Sequence, residues 1–166
     1  DAISIEHRGV GYRQAMQEAG LDFDPGLCCE VPSYPEIPLD PLKQYLKREP
    51  RMTAIFAAND QIALAVYRAA RDLGLRVPDD LALVGFGDID LVAHLDVPLT
   101  TVALPTYEIG AQAVEMLLRR VQHHPATWQR IILPTNLVIR RSCGAFTASQ
   151  DDGANRAIST TSSNDK

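Results

Sequence analysis

Apolar residues recur at helical spacing in the middle of the chain. Ile62, Ala65, Val66, Ala69, Ala70 and Leu73 follow i, i+3, i+4, i+7, i+8, i+11, the stripe of a helix with one buried face. Asn59 precedes the stripe and Gly74 follows it, a favoured N-cap and a common stop. The pattern predicts a helix over residues 59–73. On either side the period disappears. Residues 52–57 read as a strand, and 81–86 are an almost wholly apolar run, as expected of a parallel strand buried on both faces. Strand, helix, strand is the unit of a parallel sheet, and such sheets bind ligands beyond the carboxyl ends of their strands. Asn59, Asp60, Gly87 and Asp88 occupy those ends.

The same reading extends along the chain. A first helix is expected over residues 7–19, with Tyr12, Ala15, Met16 and Ala19 as its stripe and Gly20 as its stop. Pro25-Gly26 turns the chain into a short buried strand at 27–31. A proline-rich loop at 32–38 carries Tyr34. Asp40-Pro41 is a suitable cap and first-turn pair for a helix ending near residue 48. A short helix at 88–95, an extended segment at 98–103, a helix at 107–122 and two strands at 130–133 and 137–141 complete the order. The fold class is therefore α/β, a three-layer arrangement of a parallel sheet flanked by helices. Residues 145–166 are rich in Ser, Thr, Asp and Asn. They bury too little apolar surface to offset ordering entropy and are expected to form a disordered tail.

Composition narrows the classes. The 166 residues fit one domain. A net charge of −5 argues against a nucleic-acid binder acting through overall charge. No apolar run approaches the roughly 20 residues of a membrane span, and the first residues lack the pattern of a signal peptide. The three cysteines, Cys28, Cys29 and Cys143, are an odd number. Adjacent strand residues face opposite ways, so a Cys28–Cys29 bridge is not expected, and a reducing, cytoplasmic compartment fits. His123-His124 reads as a solvated pair near a helix end, and no metal or cofactor is expected. Gly85-Phe-Gly87 begins a dinucleotide fingerprint, but Asp90 stands where the third glycine belongs. Neither a P-loop nor a nucleophile elbow is present, so binding suits the polar residues better than catalysis.

Individual residues carry two readings. Asn59 suits the N-cap, yet its amide can also hold a ligand. Asp60 suits the positive end of the helix dipole. Arg8 falls on the apolar face of the first helix and in its first turn, where the dipole disfavours a cation. It either snorkels to solvent or points into a polar cleft, where its donors suit hydroxyls or a carboxylate. Leu64 and Tyr67 lie opposite the stripe of the central helix. With Leu91 and Leu95 they offer a subunit contact.

Five segments together resemble one family: Arg8-Gly-Val-Gly-Tyr-Arg-Gln-Ala-Met16, Thr53-Ala-Ile-Phe-Ala-Ala-Asn-Asp-Gln-Ile-Ala-Leu-Ala65, Gly74-Leu-Arg-Val-Pro-Asp-Asp-Leu-Ala-Leu-Val-Gly-Phe-Gly-Asp88, Pro98-Leu-Thr-Thr-Val102 and Leu133-Pro-Thr-Asn-Leu-Val-Ile-Arg-Arg-Ser142. In order and type they resemble the effector-binding region of the lactose/galactose-repressor (LacI/GalR) transcription regulators. The resemblance implies one lobe of a periplasmic-binding-protein-like type I fold, with a small sugar or sugar-acid effector between two lobes. It implies a homodimer that reaches operator DNA only through an N-terminal helix-turn-helix outside these residues. It implies Arg8 and Asn59 as effector contacts and Tyr34 as a loop aromatic near the effector. It also implies a dimer interface on the helices that carry Leu64, Tyr67, Leu91 and Leu95. Residues 1–144 would be the effector-binding region, mainly its C-terminal lobe, and the helix at 105–122 would pack on an absent N-terminal lobe. A transport-associated sugar-binding protein of the same fold is the alternative.

One departure stands out. The family pattern places an Asp after the aromatic where this chain has Gly87. The missing carboxylate sets Gly87 at the effector site without a charge and leaves Asp88 as the expected cap of the next helix. Loss of that charge suits an anionic effector facing Arg8, since like charges repel strongly in a low-dielectric cleft. The helix at 107–122 raises a second expectation. Its stripe is Gly110, Ala113, Val114, Leu117, Leu118 and Val121. Burying each Val or Leu stabilises by roughly 1.5–3 kcal/mol, so the stripe must be exposed, fold back, or pair with another chain.

Overall fold

The computed structural model describes residues 2–31, 37–48, 52–122 and 130–145. Tyr34, the His123-His124 pair and the expected tail beyond 145 lie outside them. Five helices and four strands are described: α1 (Ala2–Glu18), α2 (Leu39–Leu46), β1 (Ala54–Phe56), α3 (Asp60–Asp72), β2 (Ala82–Gly87), α4 (Asp90–Ala93), β3 (Thr100–Ala103), α5 (Thr106–Val121) and β4 (Asn136–Val138). Single 3-10 turns occur at Pro25–Leu27 and Arg141–Cys143.

The sheet order is β1-β2-β3-β4. The first three strands run parallel, with Ile55 opposite Leu83 and Gly85 opposite Thr101. The last is antiparallel, Val102 facing Leu137. The α/β class holds, with one antiparallel edge added to a parallel sheet. The core lies between α2, α3 and β2. Leu42 and Leu46 meet Ala63, Val66, Ala69 and Ala70, with Leu81, Leu83, Val92 and Leu99 beneath. Alanines on α3 let the helix sit close to the sheet. Lys43 of α2 pairs with Asp72 at the far end of α3, 2.7 Å apart. That end closes as expected at Gly74, where Leu75 N–H returns to the Ala70 carbonyl at 2.9 Å.

Several expectations need correction. Residues 27–31 form no strand. The 3-10 turn carries the chain to Leu27, Asp24 caps it through the Gly26 N–H, and the Tyr45 hydroxyl takes the Leu27 carbonyl. The segment then runs beside β1 without pairing to it. Residues 130–133 form no strand either, and Ile132 is 78% exposed. Asp40 lies inside α2, whose cap position is Pro38. β2 is not buried on both faces: Leu83 is fully buried, while Ala82, Val84 and Phe86 are half-buried. α1 covers that face only partly, through Arg8 on Phe86 and Tyr12 on Phe56. On α1, Ala15 and Ala19 are exposed, and the inward line is Arg8, Tyr12 and Met16. Leu64, Tyr67 and Leu95 are not a free face: they pack, half-buried, against the core. Leu91 alone of the four is exposed, at 57%.

Candidate functional site at the strand ends

The carboxyl ends of β1 and β2 adjoin, and Arg8 of α1 reaches them. Its Nη1 donates to the Ala58 carbonyl at 2.6 Å, and its guanidinium lies 4.0 Å from the centre of the Phe86 ring. The inward reading of Arg8 therefore holds. A carbonyl and an aromatic face offset part of the cost of removing the charge from water. That burial pulls its pKa below the ordinary arginine value, but not far enough to discharge a guanidinium. Tyr12, one turn on, stacks on Phe56 at 6.5 Å and meets Phe23 edge-on at 6.1 Å. These rings anchor α1 to the outer strand and so fix where Arg8 sits.

Asn59 caps α3. Its Oδ1 accepts from Ile62 N–H at 2.8 Å. The cap uses the amide oxygen and leaves the two amide N–H donors for other work. Asp60 is 1% exposed. Its Oδ1 accepts from the Thr101 hydroxyl at 2.6 Å and its Oδ2 from Ile89 N–H at 3.0 Å. One carboxylate thus joins the start of α3, the middle of β3 and the entry to α4. Sequence position alone suggested only a favourable first-turn charge.

The glycines of β2 make room for this carboxylate. A Cβ at Gly85 would stand 2.3 Å from Asp60 Oδ1, so that position must be glycine while Asp60 keeps its place. Gly87 has φ +134°, a conformation that side-chain-bearing residues avoid. Gly87 is therefore a backbone requirement here as well as a missing charge. Asp88 follows at φ 55° and does not cap α4. Ile89 occupies the cap position, without a side-chain bond. Asp88 instead pairs with Arg140 at 2.8 Å, while Arg140 Nη1 donates to the Leu99 carbonyl at 2.9 Å. Both carboxylates near the strand ends are committed to internal partners.

Ser142 was missed by sequence reading. Fully buried, it accepts from Thr100 N–H at 2.8 Å and donates to the Leu83 carbonyl at 2.6 Å, tying the last turn to β2 and β3. The Arg-Arg-Ser run was visible, but nothing local marked the serine as interior.

A cavity of about 280 Å³ opens beside this group, between β1, α1, α2 and the unpaired segment after Leu27. Arg8 and Ala58 belong to its lining; Asn59, Phe86 and Gly87 do not. The cavity and the strand-end group are neighbours that share Arg8. Among the described residues, no group of three or more His, Cys, Asp or Glu could hold a metal ion.

Residues 2–143 match the family described as periplasmic binding protein-like domain. The ribose operon repressor of Haemophilus influenzae is 34% identical over 82% of this chain and 41% of its own length. The HTH-type transcriptional regulator DegA of Bacillus subtilis is 39% identical over 82% of this chain and 40% of its own. Among solved structures, a transcriptional regulator CelR–cellobiose complex superposes with TM-score 0.74 and 33% identity, covering 80% of this chain and 40% of that one. These relatives are transcriptional regulators, not enzymes. The chain spans about two fifths of the length of each.

Proposed function

The chain belongs to the periplasmic binding protein-like family, in the form that serves LacI-family transcriptional regulators as their effector-binding domain, and from that premise we propose that it senses a small sugar or sugar acid at the ends of β1 and β2. Arg8 and Asn59 are the contacting residues in this reading, with Tyr34 on a neighbouring loop. The effector shifts the arrangement of two lobes, and a homodimer passes that shift to a DNA-binding module elsewhere in the regulator. The relative solved with cellobiose supports a saccharide as the ligand class. A cytoplasmic location follows from that role. Leu91 is the exposed centre of the proposed dimer face, with Leu64, Tyr67 and Leu95 supporting it from the core side. The apolar face of α5 is proposed to pack on a second lobe, and residues 145–166 to be a disordered tail.

The observation that carries the finer reading is the fate of the two carboxylates. Asp60 is bound to Thr101 and Ile89, and Asp88 to Arg140. Position 87 offers no side chain to grip sugar hydroxyls. Gly87 brings no charge to the strand ends, a change that favours an anionic ligand facing Arg8, and we read the effector as a sugar acid. Saturation-transfer NMR with matched panels of neutral sugars and their aldonic or uronic acids tests this. The acids should show the stronger transfer, and Arg8→Met should weaken it. Transfer to neutral sugars with none to the acids overturns the anionic preference.

A further inference from the structure

Cys28 and Cys29 are exposed free thiols, and both belong to the wall of the cavity that Arg8 borders. Around them, the Arg48 guanidinium lies 5.1 Å from the centre of the Tyr45 ring, and the Tyr45 hydroxyl is tied to the Leu27 carbonyl. Both thiols lie close enough to Tyr45 for their charge to hold its pKa up, second to burial. Two adjacent thiols beside one cavity are a chelating pair. We propose that Cys28 and Cys29 form a dithiol site for thiophilic trivalent metalloids, arsenic(III) foremost, in the wall of this cavity.

Geometry favours a bridging atom over a direct bond. Neighbouring Cα atoms are about 3.8 Å apart, shorter than the roughly 4.4–6.8 Å that disulfides prefer. A metalloid between the sulfurs lengthens that span and relieves the strain. The backbone is extended at Cys28, which turns neighbouring side chains apart, but no ladder fixes this segment among the described residues, so a small backbone rotation brings both thiols to one atom. The chemistry also suits neutral thiols. The apolar lining pushes the Cys29 thiol up, against the pull of Arg48, which slows reagents that need a thiolate. An arsenous group needs none. Its two hydroxyls leave as water with the two thiol protons, two As–S bonds form, and arsenic stays trivalent with no electron transferred. The site rests on the cavity and its thiols, not on the effector reading.

The test uses the full 166-residue chain with phenylarsine oxide and intact-mass spectrometry. One phenylarsenic adduct should persist in excess 2-mercaptoethanol and leave when 2,3-dimercaptopropanol is added. Cys143→Ser should keep this adduct. Cys28→Ser and Cys29→Ser should each lose it, with unchanged far-ultraviolet circular dichroism to show that they fold. Because no sugar is present, its outcome is independent of effector binding. Loss of the wild-type adduct to the monothiol overturns the proposal. Survival of the adduct in either single variant, or its loss in Cys143→Ser, overturns it equally.

Discussion

Arg8 and Asp60 show how much a single side chain can organise. Replacing Arg8 with methionine keeps most of the stem but removes the bond to Ala58 and the contact with Phe86. Charged hydrogen bonds contribute about 1.5–3 kcal/mol, so effector binding should weaken roughly tenfold or more in calorimetric titration. Gly85→Ala would push a methyl group into Asp60 Oδ1. Overpacking of this kind costs about 1–3 kcal/mol, and the urea midpoint should fall with an unchanged slope. Asp60→Ala in the Gly85→Ala background removes that clash, so the double variant should lose less than the sum of the two single losses, yet stay below wild type because the Thr101 hydroxyl is left buried without its acceptor. Neither residue was fully readable. Asp60 announced a helix start, but Thr101 lies 41 positions away, beyond any local pattern. Gly87 was legible as a lost carboxylate, whereas its positive φ depends on how β2 turns over that same acid.

Elements were legible where their signals are local. α3 combines a cap, a period and a stop within a few residues, and all three appear in the structure. β2 and β3 were placed within a residue or two, since short apolar or β-branched runs bounded by turn residues have few other uses. The expected strand at 27–31 failed for the opposite reason. Strand formation is a property of a pair, and the run cannot declare whether a partner will accept it. On α1, Tyr12 and Met16 lie inward with Arg8 as the stripe predicted, whereas Ala15 and Ala19, expected beside them, are exposed. α5 was correctly read as a helix with an apolar stripe. Val114 is 56%, Leu117 61%, Leu118 54% and Val121 65% exposed. At roughly 1.5–3 kcal/mol for each such side chain buried, α5 favours self-association of the isolated chain. Sedimentation velocity should show concentration-dependent oligomers, and Leu117→Glu with Val121→Glu should shift them toward monomer. A wild-type chain that sediments as a monodisperse monomer contradicts this.

For the whole molecule, the sheet sets the site and its partners set its strength. A strand-end cleft completed by one lobe buries only one side of a small ligand, so weak binding is expected until a second lobe closes over it. The chain by itself should leave operator DNA unshifted in an electrophoretic assay, because its acidic net charge of −5 gives no steering toward phosphates. The fold class was legible here because alternating strands and helices admit few architectures. The open cavity was not, since its lining comes from separate stretches of the chain, from Ile5 to Val66.

Among the described residues, β1 is paired to β2 alone and its other side carries no ladder. A bare strand edge is a template on which a foreign strand can grow. Here the template is three residues long, too short for a lasting ladder, and Phe56, 39% exposed, is already engaged by Tyr12. The edge is therefore sticky but brief. Backbone amides on that side of β1 should exchange with deuterium well before those of β2, and fibril growth should be seeded poorly, if at all, by this strand.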